Sequence, residues 1–163
     1  MPMLLNLRDD LLQTIDEDDW VAAEQQAVGN GHARSSARLH APLAQFDPDQ
    51  HQGLLLAVDS EPPMPLPKVN LIAIEFPAFN DGRGLSLAVL LRSRYEFLGE
   101  LRAVGETHPD LLHYMRRCGF DSVLLPNPHS IASAQAAFDP YTDYYQASVS
   151  NPEPAFRRMR RGA

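Results

Sequence analysis

The spacing of apolar and polar positions divides the chain into segments of different period. Met3 to Leu7 (MLLNL) reads as a short strand, and an acidic run, Asp16, Glu17, Asp18 and Asp19, precedes Trp20 and a helix-prone WVAAEQQAV. Acidic side chains in a first helical turn complement the positive helix end by about 0.3–1 kcal/mol, so the run reads as a helix start rather than a metal site. From Gly29 to Gln52 there is no period, which predicts a polar loop or linker with His32, His40 and His51 as solvated loop residues. Order returns at Gly53. GLLLAVD predicts a strand, EPPMPLPK a proline-rich connection, and VNLIAIEFP a continuously apolar strand covered on both faces.

From there the chain repeats one formula. A helical pattern begins at Leu85, with Leu87, Leu90, Leu91 and Arg94 on successive turns, and ELRAVG follows as a strand. HPDLLHYMRRCG predicts a helix with Pro109 in its first turn and Gly119 as its stop; SVLLP predicts the next strand. A last helix is expected from Ser130 to Gln146. Alternation of this kind implies an α/β fold with a mostly parallel sheet of three consecutive strand-helix units, either half-barrel-like or open and flavodoxin-like, with a short N-terminal extension. The expected organisation is an N-terminal strand and acidic segment over 1–28, a linker over 29–52, the α/β core over 53–146, and a frayed, disordered basic tail over 147–163.

Composition narrows the function. Thirteen of the 14 basic residues are arginine and acidic residues number 21, so the net charge of −7 argues against a general nucleic-acid coat. No apolar run approaches the roughly 20 residues that cross a bilayer, and the N-terminus turns acidic at once, which gives the expectation of a cytoplasmic protein that binds no membrane. A single cysteine, Cys118, excludes an internal disulfide and a cluster held by four thiolates of this chain. No cofactor and no metal are expected.

In open parallel sheets, sites form beyond the carboxyl ends of the strands. The first such turn offers Glu75, Asn80, Asp81 and Arg83; the second Gly105, Glu106, Thr107 and His108; the third Asn127 and His129. Gly82 and Gly84 would permit positive φ and close approach to a bound group, free amides at the helix start attract anions, and Arg83 adds a forked donor. This predicts a small-oxyanion site over Asn80, Asp81, Gly82, Arg83 and Gly84, with Arg102 and His108. A structural reading stays open beside it: Asn-Asp-Gly is a common turn, and Arg83 could pair with Asp81, Glu75 or Glu106 to tie loops together. As catalytic candidates the sequence offers Glu75 or Asp81 as a general base, with Arg83 and Arg102 as an anion clamp. Cys118 is a third, although its place at a helix end among Leu111, Leu112 and Met115 reads as packed. His108 and His113 lie about 140° apart on a helix and cannot share a metal from one face. Arg116 and Arg117 read as solvent-facing.

EFPAFNDGRGLSLAVLLRSRYEFLGELRAVGE followed by LLHYMRRCGFDSVLL resembles bacterial domain-of-unknown-function family 934, over roughly residues 53 to 146. The shared motifs fall on Phe76, Pro77, Phe79, Asp81, Gly82, Arg83 and Gly84, then on Gly99, Glu100, Leu101, Arg102, Ala103 and Gly105, then on Arg116, Arg117, Cys118, Gly119, Phe120 and Asp121. The segment after Gly105 departs from the family's pattern. Members of this family are typically encoded beside the haemoprotein of assimilatory sulfite reduction and are often labelled oxidoreductases. The resemblance therefore implies an accessory role in that pathway, with the reductase haemoprotein or its electron donor as partner; alternatives are a small sulfur-metabolism enzyme and a structural domain that forms a homodimer. One cysteine cannot hold the iron–sulfur cluster of a six-electron sulfite reductase, so the chain is not that enzyme itself.

Overall fold

The computed structural model describes residues 3–9, 11–16, 18–22, 38–126, 131–138, 141 and 144–161. Eight strands form one sheet: β1 (Met3–Asn6), β2 (Gln13–Thr14), β3 (Trp20–Ala22), β4 (Arg38–Pro42), β5 (Gly53–Ala57), β6 (Leu71–Phe76), β7 (Glu100–Gly105) and β8 (Ser122–Leu125). The helices are α1 (Arg83–Ser93), α2 (Leu112–Cys118), α3 (Ile131–Phe138) and α4 (Ala155–Arg161). The sheet order is β2-β1-β8-β7-β6-β5-β4-β3, parallel from β3 through β8 and antiparallel where β1 meets β8 and β2. The chain is thus a mixed α/β protein with a mostly parallel sheet. From β3 to β8, neighbours in space are neighbours in sequence, so the strand-order reversal of a flavodoxin-like sheet does not occur.

One face of the sheet carries the core. Leu54, Leu56, Ile72, Ile74, Leu101, Ala103 and Val123 alternate with residues of the opposite face and pack against Leu87, Ala88 and Leu91 of α1, Leu112 and Met115 of α2, and Ala134 and Phe138 of α3. The helix starts at Arg83, two residues before the predicted Leu85. It stops where Arg94 donates to the Leu90 carbonyl and Glu96 takes a positive φ of 52°. α2 ends as predicted at Gly119, whose φ of 99° is left-handed, while the Phe120 amide reaches back to the Met115 carbonyl.

Four expectations are corrected. Trp20–Ala22 is a strand paired with β4, not the start of a helix: Trp and Val favour a pleated surface, and the Trp20 ring lies over Gly53, where an added Cβ would come within 2.7 Å of it. The stretch read as a linker contains β4, so the N-terminal segments belong to the same sheet as the core. The last predicted helix stops at Phe138 among the described residues, with Tyr144 and Tyr145 outside any helix. The tail read as frayed instead packs on the body: the Val149 amide donates to the Arg117 carbonyl, Ala155 is buried, and α4 follows. Residues 23–28, Asn127 and His129 lie outside the described residues.

Connection length dictates the sheet's curvature. β2 and β3 are the two outermost strands, yet only residues 15–19 join them. Eight strands laid flat would separate these edges by about 34 Å, whereas six Cα steps span at most about 22 Å. The sheet must curl, and Ile15, Asp16 and Asp18 of this connection border its second face. A cavity of about 480 Å³ on that face is lined from seven strands, through Leu4, Trp20, His40, Leu55, Ala73, Arg102 and Leu124.

At the amino ends of the strands, the Arg92 guanidinium donates to the carbonyls of Phe97 at 2.5 Å, Gly99 at 2.9 Å and Gly119 at 3.0 Å, and to the Asp121 carboxylate at 2.6 Å. Replacing Arg92 by Ala removes a mostly buried charged donor from four acceptors, and urea denaturation is expected to show a loss of about 3 kcal/mol. Arg92→Lys is expected to recover only part of it, because an ammonium presents its donors from one point.

Candidate functional site

The predicted anion turn is self-contained. The Asp81 carboxylate accepts from Arg83 through Nε at 3.0 Å and Nη2 at 2.6 Å, and from the Arg83 amide at 3.1 Å. That pairing holds the Asp81 carboxyl below its ordinary range, and the Asp81 carboxylate in turn raises the Arg83 guanidinium. A second amide at the helix mouth, that of Leu85, already donates to the Gly82 carbonyl. Neither glycine adopts positive φ: Gly82 is helical at φ −74°, and Gly84 is buried in α1. Gly84 answers a packing need, since a Cβ there would meet the Phe76 ring at 2.5 Å. Asn80 and Arg83 are exposed, and residues 80–84 line neither the second-face cavity nor the hollow of about 450 Å³ beside it. Of the two readings left open by the sequence, the loop-tying one is observed.

The other predicted residues scatter. Arg102 projects from β7 onto the second face, only 6 % exposed, and donates to Asp18 at 2.7 Å and to Glu100 at 2.8 and 2.9 Å; Ser122 also donates to Glu100 at 2.6 Å. Arg83 begins the helix packed on the first face, so the two guanidiniums share no carboxylate and form no clamp. The acidic run thus supplies Asp18 as partner to a buried cation rather than a helix start. His108 caps the short 3-10 turn Pro109–Leu111 by accepting from the Asp110 amide, and its ring lies 6.1 Å from that of Phe79. Thr107 is buried, bonded to the Leu124 carbonyl at 2.6 Å. Gly105 does adopt positive φ, at 86°, where a Cβ would collide with the Phe76 carbonyl. Cys118 is half-buried against the core, and burial raises its thiol pKa, opposed by Arg117, so it is a poor nucleophile. Arg116 and Arg117 do not project freely: they lie over the rings of Phe138 at 5.0 Å and Tyr144 at 4.0 Å.

What the residues do gather is the cavity on the second face. Glu75 stands on β6 at its rim and also borders an adjoining hollow of about 450 Å³ lined by Pro42, Leu43 and Ala57. Its carboxylate makes no hydrogen bond or ion pair among the described residues. His40, read from sequence as solvated, lines the cavity with its Nδ1 buried and without a partner. Burial first, and then the Arg102 charge, lowers its pKa, so the imidazole is neutral at pH 7. His51 is not simply solvated either, since its Nδ1 accepts from the Asp47 amide. Sequence reading missed Trp20, His40 and Glu100 as members of this face. The i, i+2 spacing of Glu100 and Arg102 within a strand was the available signal. Among the described residues, no three His, Cys, Asp or Glu side chains gather to hold a metal ion, and no helix is long and apolar enough to cross a membrane.

Fold and motifs together define a mixed α/β domain whose signature residues lie on β6, β7 and the turns around α1 and α2. The family described as "Bacterial protein of unknown function (DUF934)" matches residues 56–156, and the chain belongs to it. No curated protein matches the chain.

His40 and His113 carry a pH signature, both being held below the ordinary value of 6.5 by burial first and then by Arg102 and Arg117 respectively. The unfolded chain accepts a proton that the folded protein resists. Their contribution is therefore full above the unfolded value and is lost as pH falls through it towards the lower folded values. The urea midpoint is expected to drop between about pH 7.5 and about pH 5.5, and the double substitution of both histidines by Gln is expected to flatten that slope.

Proposed function

We propose that the protein is a cytoplasmic accessory protein of assimilatory sulfite reduction, an interaction domain of half-barrel form that docks on the reductase haemoprotein. The pathway comes from the resemblance and the genomic company it implies. The docking role is carried by one observation: the charged motif residues Asp81, Arg83, Glu100, Arg102 and Asp121 are all engaged by partners inside the fold, while Phe79 of the same motifs is 61 % exposed. An exposed aromatic ring on a turn braced by an Asp–Arg pair is the kind of anchor that dominates protein interfaces. A catalytic reading on Glu75, Asp81, Arg83 and Arg102 lacks a pocket common to all four: Glu75 and Arg102 border the second-face cavity, while Asp81 and Arg83 pair with each other outside it. Self-association through sheet edges finds little edge to use, the outer strands β2 and β3 being two and three residues long.

Sedimentation velocity of the purified chain mixed with the haemoprotein subunit is expected to give a boundary faster than either component. Phe79→Ala is expected to abolish that boundary, and Arg83→Ala, which removes the brace but keeps the ring, is expected to weaken it while leaving the melting temperature unchanged. Independent boundaries for the two unmodified proteins would remove the docking reading.

A further inference from the structure

The cavity on the second face of the sheet is unrelated to the Phe79 turn, and its chemistry is specific. Its walls are largely apolar, with Leu55, Leu71, Ala73 and Leu124 among them, and its volume of about 480 Å³ lies in the range of small-molecule sites. The Trp20 ring forms part of the wall, fixed by the space left at Gly53 and by the Arg38 guanidinium 5.7 Å from its centroid. The charges are unequal. Among the described residues, Asp16, Asp18 and Glu75 face the cavity against Arg102 alone, and His40 adds no positive charge at neutral pH. Arg102 already donates to Glu100 and Asp18, so its cation is neutralised by the fold, while the Glu75 carboxylate at the rim is left unpaired among the described residues. An anion entering here meets net negative charge, so the oxyanion expected from sequence is the wrong class of ligand for this space.

We propose that this cavity binds a small organic amine. Its apolar body lies against the side chains that line the sheet face, and its ammonium is met by the Glu75 carboxylate with Asp16 as a second acceptor. The unpaired carboxylate supplies a charge-assisted hydrogen bond that only a cationic donor satisfies fully.

The protein holds its own probe, because Trp20 is its single tryptophan. The full chain would be titrated at neutral pH with 2-phenylethylamine, 2-phenylethanol and phenylacetate, reading Trp20 emission. The amine is expected to give a saturable change, the alcohol a weaker one, and the carboxylate none over the same range. Glu75→Gln, at an exposed position, is expected to weaken the amine roughly tenfold or more while leaving the alcohol unchanged. Ala73→Leu, which fills the cavity from its floor, is expected to abolish the response to both. Equal isotherms for amine and carboxylate would overturn the proposed ligand class. Absence of a saturable response to any probe, from protein with a native circular dichroism spectrum, would overturn the site.

Discussion

The carboxylate of Asp121 and the guanidinium of Arg92 hold the amino ends of the strands together, and the arrangement of the sheet rests on them. Arg92 reaches from the last turn of α1 to the loop before β7 and to the end of α2. Asp121 gathers Arg92, the Leu101 amide of β7 and the Arg8 side chain beyond β1 onto its two oxygens. The Asp121 backbone adds bonds from the Leu7 amide and to the Leu101 carbonyl. Both ionic side chains are mostly withdrawn from water, at 14 % and 17 % exposure. A buried ion pair gains little over an apolar pair of the same shape, but removal of one partner strands the other charge and several carbonyls. Its value is therefore specificity of assembly: it fixes β1, β7 and β8 as neighbours in one register.

That placement has consequences on the opposite face. With β1 and β2 added antiparallel beyond β8, the chain must return to the far edge to start β3, and residues 15–19 are too short to do so over a flat sheet. Curling brings the edges together and turns the second face inward. A sheet built from parallel strands needs cover on both faces. Here helices cover one, and the curl partly covers the other, where Leu71 and Ala73 are buried with no helix above them among the described residues. The same geometry explains the ion cluster. Arg102 would be an unpaired cation in a withdrawn apolar hollow without Glu100 two residues earlier on the same strand face and Asp18 delivered by the connection between β2 and β3.

Where the apolar period was long, the sequence was readable. β6, β7 and β8 and the end of α2 at Gly119 follow from continuous apolar runs and a left-handed glycine, and the mostly parallel sheet follows from their alternation. β3 and β4 were not readable because they are three and five residues long and flanked by polar sequence, so their strand character comes from pairing, β4 with β5 and β3 with β4, rather than from local pattern. His40 went with them. At the turn Asp81–Gly84 the sequence left two purposes open, and the structure shows Arg83 paired with Asp81. Sequence cannot distinguish an Arg held open for a ligand from one closed on a carboxylate two residues away, nor a glycine chosen for φ from one chosen to admit the Phe76 ring. Docking of the C-terminal segment was hidden because its contacts are cation–π stacks and backbone bonds, which leave no apolar period.

A distinction between scaffold and site follows for the motif residues. Gly84, Gly99 and Gly105 are each set against Phe76, Phe97 or the Asn70 carbonyl at distances that a Cβ would violate. Asp121 and Arg102 satisfy charges that the fold itself creates. Substituting any of these lowers stability first, and a loss of one or two kcal/mol changes the amount of folded protein enough to imitate a functional defect. Among the described residues, positions whose chemistry the fold leaves available include Phe79 on the outside and Glu75 and His40 around the cavity. Only the first of these belongs to the motifs, so an experiment guided by the motifs alone would mostly measure folding.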